Sequence, residues 1–159
     1  MRHVAGLLVG ALVLGGAPCA DAQPGSNTVR IDVPSVVLIQ IVDLSVTSYS
    51  APSRVSFNQA FLLPGQALRI SVKADNDLIL PGGGTVPAPL IAWTTSQVSN
   101  GVGMNGSLST GLYSPVYESH AGARSGRVDL TWGVSLPPGI ARAGTAQMTI
   151  RWKLEAVTP

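Results

Sequence analysis

The sequence is poor in charged and reactive side chains. Only 11% of the residues are Asp, Glu, Lys or Arg, less than half of the roughly 25% that is usual for soluble domains. The formal net charge is +2 and the basic residues are scattered, which argues against a nucleic-acid partner. Cys19 is the single cysteine, and His3 and His120 are the two histidines. Zinc sites of the usual ligand set and cysteine-based catalytic pairs therefore lack the residues that they need.

The N-terminus has the features of a secretory signal peptide. A basic start precedes the uncharged apolar run Val4–Gly16, and small residues lead to a predicted cleavage after Ala22. The run is shorter than the roughly 20 residues that a bilayer span needs. A lipid anchor on Cys19 is the alternative, but Pro18 directly before it fits that processing poorly. Cleavage predicts a cysteine-free mature protein that is secreted to the periplasm, the cell surface or the medium, without disulfides.

Apolar and polar residues alternate along the remaining chain, and no segment shows a helical stripe. The clearest strand is Gln147–Glu155, which places Met148, Ile150, Trp152 and Leu154 on one face. Further strands are predicted at Thr28–Val33, Val36–Val42, Val55–Phe57, Gln66–Lys73, Leu78–Leu80, Leu90–Thr94, Ser114–Glu118 and Arg127–Val134.

Turn signals separate these strands at short intervals. They include Pro64-Gly65, Asn100-Gly101 and Asn105-Gly106, and Gly82–Pro89 is predicted as a surface loop. Strands with one polar face suit an antiparallel sheet better than a parallel one. The sequence thus predicts a single antiparallel, immunoglobulin-like β-sandwich of about seven to nine strands over residues 28–157, after a loose terminus at residues 23–27.

Two short clusters are candidates for chemistry. Glu118-Ser119-His120 contains the residue types of a hydrolytic triad, but neighbours on an extended segment cannot converge as a triad does. Asp75-Asn76-Asp77 could supply oxygen ligands to calcium, yet no further carboxylate follows and Asx residues are typical of tight turns. The turn is the preferred interpretation, with calcium as the alternative. The sequence predicts a non-catalytic protein with no cofactor and no metal.

Aromatic residues offer one route to ligand binding. Trp132 and Trp152 alternate in phase with apolar neighbours and are predicted to lie in the core. Trp93, Tyr113 and Tyr117 are candidates for a surface on which sugar rings could stack. An outward-facing aromatic row would favour a carbohydrate- or cell-wall-binding module, whereas buried aromatics would argue against one.

The second half of the chain carries a family resemblance. Its segments are Ala92–Thr94, Asn105–Ser109, Val116–Ser119, Ser125–Trp132 and Arg142–Trp152. In this order they resemble small secreted bacterial β-sandwich proteins, namely chaperone–usher fimbrial subunits and the spore coat protein U group. A glycine shortly before the final alternating strand is typical there, as with Gly144 here. The predicted mature chain departs from that pattern because many such subunits carry a disulfide.

The resemblance implies a structural or adhesive surface protein, and its partners would be other copies, other surface subunits and a periplasmic chaperone. Assembly would proceed by β-strand addition, in which an extended segment of one chain completes the sheet of the next. Thr28–Val33 is the best donor candidate, with Val29, Ile31 and Val33 as the alternating apolar residues. The alternative is an ordinary first strand within its own domain, which is favoured because the predicted strands suffice for a closed sandwich.

Overall fold

The computed structural model describes residues 30–42, 47–136 and 142–159. The strands of this part are β1 (Arg30–Asp32), β2 (Val36–Ile41), β3 (Ser48–Asn58), β4 (Ala67–Ala74), β5 (Leu78–Ile79), β6 (Thr85–Val86), β7 (Ile91–Ser99), β8 (Gly101–Gly103), β9 (Gly106–Ser107), β10 (Ser114–Ser119), β11 (Gly126–Ser135) and β12 (Gly144–Val157). One short 3₁₀ turn, Ala88–Leu90, precedes β7.

These strands form two antiparallel sheets that pack face to face. Sheet 1 has the order β1-β3-β11-β7-β9. Sheet 2 has the order β6-β5-β12-β4-β10-β8, and β2 also pairs with β12. The predicted all-β sandwich with antiparallel sheets is therefore confirmed.

The alternation seen in the sequence decides which side chains enter the core. In β11, Val128, Leu130, Trp132 and Val134 are buried while the residues between them face outwards. Trp132 is 1% exposed, as predicted for a core residue, and its ring meets that of Trp93 edge to face at 5.7 Å. In β12, Ala146, Met148 and Ile150 enter the same core. Trp152 contacts this core but is only half-buried.

The described part contains more strands than the alternation predicts. The strands β6, β8 and β9 are two or three residues long and fall in segments whose sequence predicts loops or turns. At Gly101 a Cβ atom would collide with Tyr117, and at Gly106 it would lie 2.7 Å from the ring of Trp93. Gly101 and Gly106, which belong to the Asn-Gly pairs predicted as turns, are therefore strand residues whose backbone passes closely over buried aromatic rings.

The chain crosses from one sheet to the other near its beginning. β1 pairs with β3 in sheet 1, with Ile31 opposite Phe57, whereas β2 pairs with β12 in sheet 2. Residues 33–35 make the crossing, and Pro34 lies within it. The predicted signal peptide, the loose terminus and Val29 lie outside the described residues. Within the described residues, no helix is long and apolar enough to cross a membrane.

Candidate functional site

The final strand is paired on both sides over only part of its length. Gly144 to Thr149 pair with β2 on one side, and within this stretch Gln147 also pairs with β5 on the other side. Ile150 to Val157 pair with β4. The N–H of Ile150 donates to the carbonyl of Ser35 at 3.0 Å, which is the last contact of this kind before the chain leaves for sheet 1. From residue 151 to residue 157, no strand of the described residues pairs with the side of β12 opposite β4. We call this segment the open edge of β12.

The open edge presents backbone groups together with apolar side chains. Because backbone direction repeats every two residues and Ile150 donates towards Ser35, the N–H groups of Trp152, Leu154 and Ala156 face the open side. The side chains of Trp152 and Leu154 pack against the core but remain half-buried. The indole N–H of Trp152 donates to the carbonyl of Pro34 at 2.6 Å. An unpaired edge of this kind is a template for a further strand.

Of the three donor candidates, Ile31 lies in β1 of sheet 1, Val33 follows this strand, and Val29 is outside the described residues. Ile31 and Val33 pack against the core of their own domain, and β1 contributes three residue pairs with β3. This is the arrangement of the intramolecular alternative. Over the described residues, which begin at Arg30, this pairing covers three positions, whereas the neighbouring pair β11 and β3 extends over ten.

Two of the three aromatic residues predicted as candidates for sugar stacking are buried. Trp93 is 1% exposed and its indole N–H donates to the carbonyl of Met104 at 2.7 Å. Tyr117 is fully buried, and its hydroxyl donates to the carbonyl of Ser99 at 2.8 Å. Both rings are core residues, so the structure contradicts a stacking role for them. Tyr113 alone is open to solvent, with 37% of its surface exposed.

Burial also sets the ionisation of Tyr117. Desolvation disfavours the phenolate form and raises the pKa of Tyr117 to about 12. The hydroxyl therefore stays protonated at neutral pH and serves as a hydrogen-bond donor in the core. Gly101 and Gly126 leave the space that this hydroxyl occupies, because a Cβ at either position would collide with it.

The Glu118–Ser119–His120 segment does not form a catalytic unit. Glu118 pairs with Arg69 at 2.8 Å. Ser119 is buried, and its hydroxyl accepts from the N–H of Leu68 at 2.8 Å while donating to the backbone carbonyl of His120 at 3.0 Å. Both hydrogen bonds of the Ser119 hydroxyl are thus made with backbone groups. The side chain of His120 is exposed to solvent.

The Asp75–Asp77 turn uses its side chains to hold neighbouring segments. Asp75 pairs with Arg151 at 2.6 Å, and Asp77 accepts from the N–H of Ala88 at 2.9 Å. Asn76 accepts from the N–H of Thr149 at 3.1 Å. Within the described residues, no group of three or more His, Cys, Asp or Glu side chains is placed to hold a metal ion. The contacts are those of the turn interpretation.

An open hollow of about 660 Å³ lies on the outer face of sheet 1. It is lined by small and hydroxyl-bearing residues together with Leu90 and parts of Tyr49 and Trp93. No acidic, basic or histidine side chain is among its lining residues.

An ion pair joins two strands further along the same face. Arg54 donates to both carboxylate oxygens of Asp129, at 2.6 and 2.9 Å. The hydrogen bond from Arg54 lowers the pKa of Asp129 below its ordinary value, and the same contact raises the pKa of Arg54. The pair is exposed to solvent, so its contribution to stability is small.

No protein-family model, curated protein or solved structure matches the chain. The similarity to fimbrial subunits and to the spore coat protein U group remains an expectation from the sequence. Two candidate binding surfaces are present in the described residues, the open edge of β12 and the surroundings of the exposed Tyr113 ring.

Proposed function

We propose that the protein is a secreted, non-catalytic structural or adhesive β-sandwich protein that assembles by β-strand addition at the open edge of β12. The observation that carries the proposal is the half-paired final strand, which has β4 on one side and no described strand on the other from residue 151 to 157. Backbone hydrogen bonds along such an edge supply affinity, and pockets for alternate side chains supply specificity.

The donor in this proposal is Thr28–Val33 of a second copy. The segment has six residues, against seven in the open edge, and its alternating Val29, Ile31 and Val33 match an acceptor whose inward side chains are apolar. Within one chain, the described residues of β1 hold to β3 through three residue pairs. Release of β1 would break these pairs, and the open edge offers seven residues with which the segment could pair.

The non-catalytic part of the proposal rests on the side chains that are candidates for chemistry. Ser119 is buried and bonded to backbone groups, and the carboxylates of Asp75 and Glu118 are held by arginines. The secreted part rests on the predicted signal peptide. A periplasmic chaperone that occupies the open edge before assembly is the partner implied by the family resemblance.

The test uses the mature chain, residues 23–159, followed over time by size exclusion with light scattering. We expect oligomers to form on incubation. Ala156→Pro should suppress them, because it removes an N–H from the open side of β12 and leaves the bonds to β4 in place. Thr158→Pro, placed just beyond the strand, is the matched control and should assemble like the parent.

A labelled peptide of residues 28–33 gives a second readout, since it should bind the parent and fail to bind Ala156→Pro. A mature chain that stays monomeric at high concentration and does not bind the peptide would refute strand addition. Assembly that proceeds equally well in Ala156→Pro would place the contact elsewhere on the molecule.

A further inference from the structure

A cluster of basic residues surrounds the exposed ring of Tyr113 on the outer face of sheet 2. The ammonium of Lys73 lies 5.3 Å from the ring centroid, and that of Lys153 lies 5.9 Å from it. Arg151 stands directly opposite Lys73 in the register of β12 and β4. We call Lys73, Tyr113, Arg151 and Lys153 the Tyr113 patch.

The positive charges of this patch are not all neutralised. Arg151 pairs with Asp75 at 2.6 Å, and Lys153 pairs with Glu155 at 2.7 Å. Lys73 is half-buried and forms no ion pair within the described part of the chain, so the ring of Tyr113 is its principal electrostatic partner. Like charges directly opposite on neighbouring strands are destabilising. An anion bound here would relieve the repulsion between Lys73 and Arg151.

The patch also has an apolar component. Tyr113 is 37% exposed and the adjacent Leu112 is 75% exposed, so an aromatic and an aliphatic surface lie beside the cations. An aromatic ring with a polar tip suits a ligand that is apolar on one face and hydrogen-bonding at its rim, as a sugar ring is. Arg151 and Lys153 follow one another on the same face of β12, about 7 Å apart along the strand.

We propose that the Tyr113 patch binds an acidic polysaccharide. Sugar rings would lie against Tyr113 and Leu112, and a carboxylate would pair with Lys73, the cation that lacks a carboxylate of its own. This inference goes beyond strand addition and does not depend on it. Arg151 and Lys153 lie within the open edge, but their side chains stand on the outer face of sheet 2, whereas strand addition uses the backbone groups of Trp152, Leu154 and Ala156.

The test measures binding of the mature chain to alginate, a polymer of uronic acids, with neutral dextran and poly-glutamate as comparison polymers. We expect alginate to bind and dextran not to bind. Lys73→Gln and Tyr113→Ala should each weaken alginate binding about three- to tenfold, the range expected from loss of one charge or ring contact. Affinity should fall as salt is added.

Arg127→Gln is the matched control, since Arg127 is exposed on sheet 1 and has no ion pair in the described part of the chain. It removes the same charge and should bind alginate like the parent. Thermal unfolding of each variant verifies that the fold is intact. Loss of binding in Arg127→Gln equal to that in Lys73→Gln would overturn the proposal, because net charge alone would then explain binding.

Equal binding of poly-glutamate, with no effect of Tyr113→Ala, would overturn the sugar assignment. A parent that does not bind alginate at low salt would refute the site altogether. Neither result bears on oligomer formation, so failure of this inference and failure of strand addition are distinguishable.

Discussion

Replacement of Trp132 by alanine tests the central packing of the sandwich. The side chain is 1% exposed, meets Trp93 edge to face and donates its indole N–H to the hydroxyl of Ser53 at 2.7 Å. Truncation of a buried Trp costs about 3–5 kcal/mol, and an aromatic pair adds about 0.5–1.5 kcal/mol beyond its buried area. We expect a loss near the top of that range, about 4–5 kcal/mol, which is a large share of the stability of a small domain.

Urea unfolding followed by circular dichroism measures this loss. With a slope of about 2 kcal/mol per molar, the midpoint should fall by roughly 2 M. Thr131→Ala is the control on the same strand, where the outward side chain should change stability by less than about 0.5 kcal/mol. Trp152→Ala should fall between the two because its ring is only half-buried. Equal midpoints for Trp132→Ala and Thr131→Ala would refute the assignment of faces.

Three further predictions concern the glycine beside Tyr117, the Tyr117 hydroxyl and the surface ion pair of Arg54 and Asp129. Gly126→Ala should lower the free energy of unfolding by about 1–3 kcal/mol, measured in urea, because the new Cβ would collide with the Tyr117 hydroxyl. Gly133→Ala is the control and should leave the free energy of unfolding unchanged, because the nearest atom to its Cβ would lie at 3.9 Å. The folded pKa of Tyr117 is about 12, above its ordinary value of 10.0. The contribution of Tyr117 to stability is therefore complete below pH 10 and is lost as the pH rises towards 12. Tyr117→Phe should remove this alkaline loss of stability, measured by thermal unfolding at a series of pH values. The folded pKa of Asp129 is lowered from its ordinary value of 3.8. The contribution of its pair with Arg54 to stability is therefore present above about pH 4 and is lost as the pH falls below that value. The difference in melting temperature between the parent and Arg54→Gln should shrink as the pH is lowered below about 4.

The sequence predicts the long strands well because their signal is local. In β11 and β12 each inward residue is two positions from the next, and that repeat requires no knowledge of the partner strand. The same local signals predict turns at Gly101 and Gly106. Their place in β8 and β9 depends on Tyr117 and on Trp93, which lie 16 and 13 residues away in the sequence.

The candidate surfaces depend even more on contacts between distant residues. Lys73, Tyr113 and Lys153 follow one another at intervals of 40 residues, and only the pairing of β4 with β10 and β12 brings them together. The open edge of β12 cannot be predicted from the alternation of Gln147–Glu155, because apolar and polar residues alternate in the same way whether a strand pairs with one neighbour or with two. What distinguishes the two halves is the point at which the chain near Pro34 leaves sheet 2.

The crossing at Pro34 also determines how the molecule would respond to tension. β2 runs antiparallel to β12, with Val36 beside Thr149. The chain before β2 and the chain after Thr149 therefore leave this pair at the same end. A force that pulls Ser35 away from Ile150 would act across the hydrogen bonds of β2 and β12 and open them one after another, starting at the bond between these two residues, instead of shearing all of them at once. Separation of β2 from β12 would thus begin at the boundary of the open edge and proceed towards Gly144.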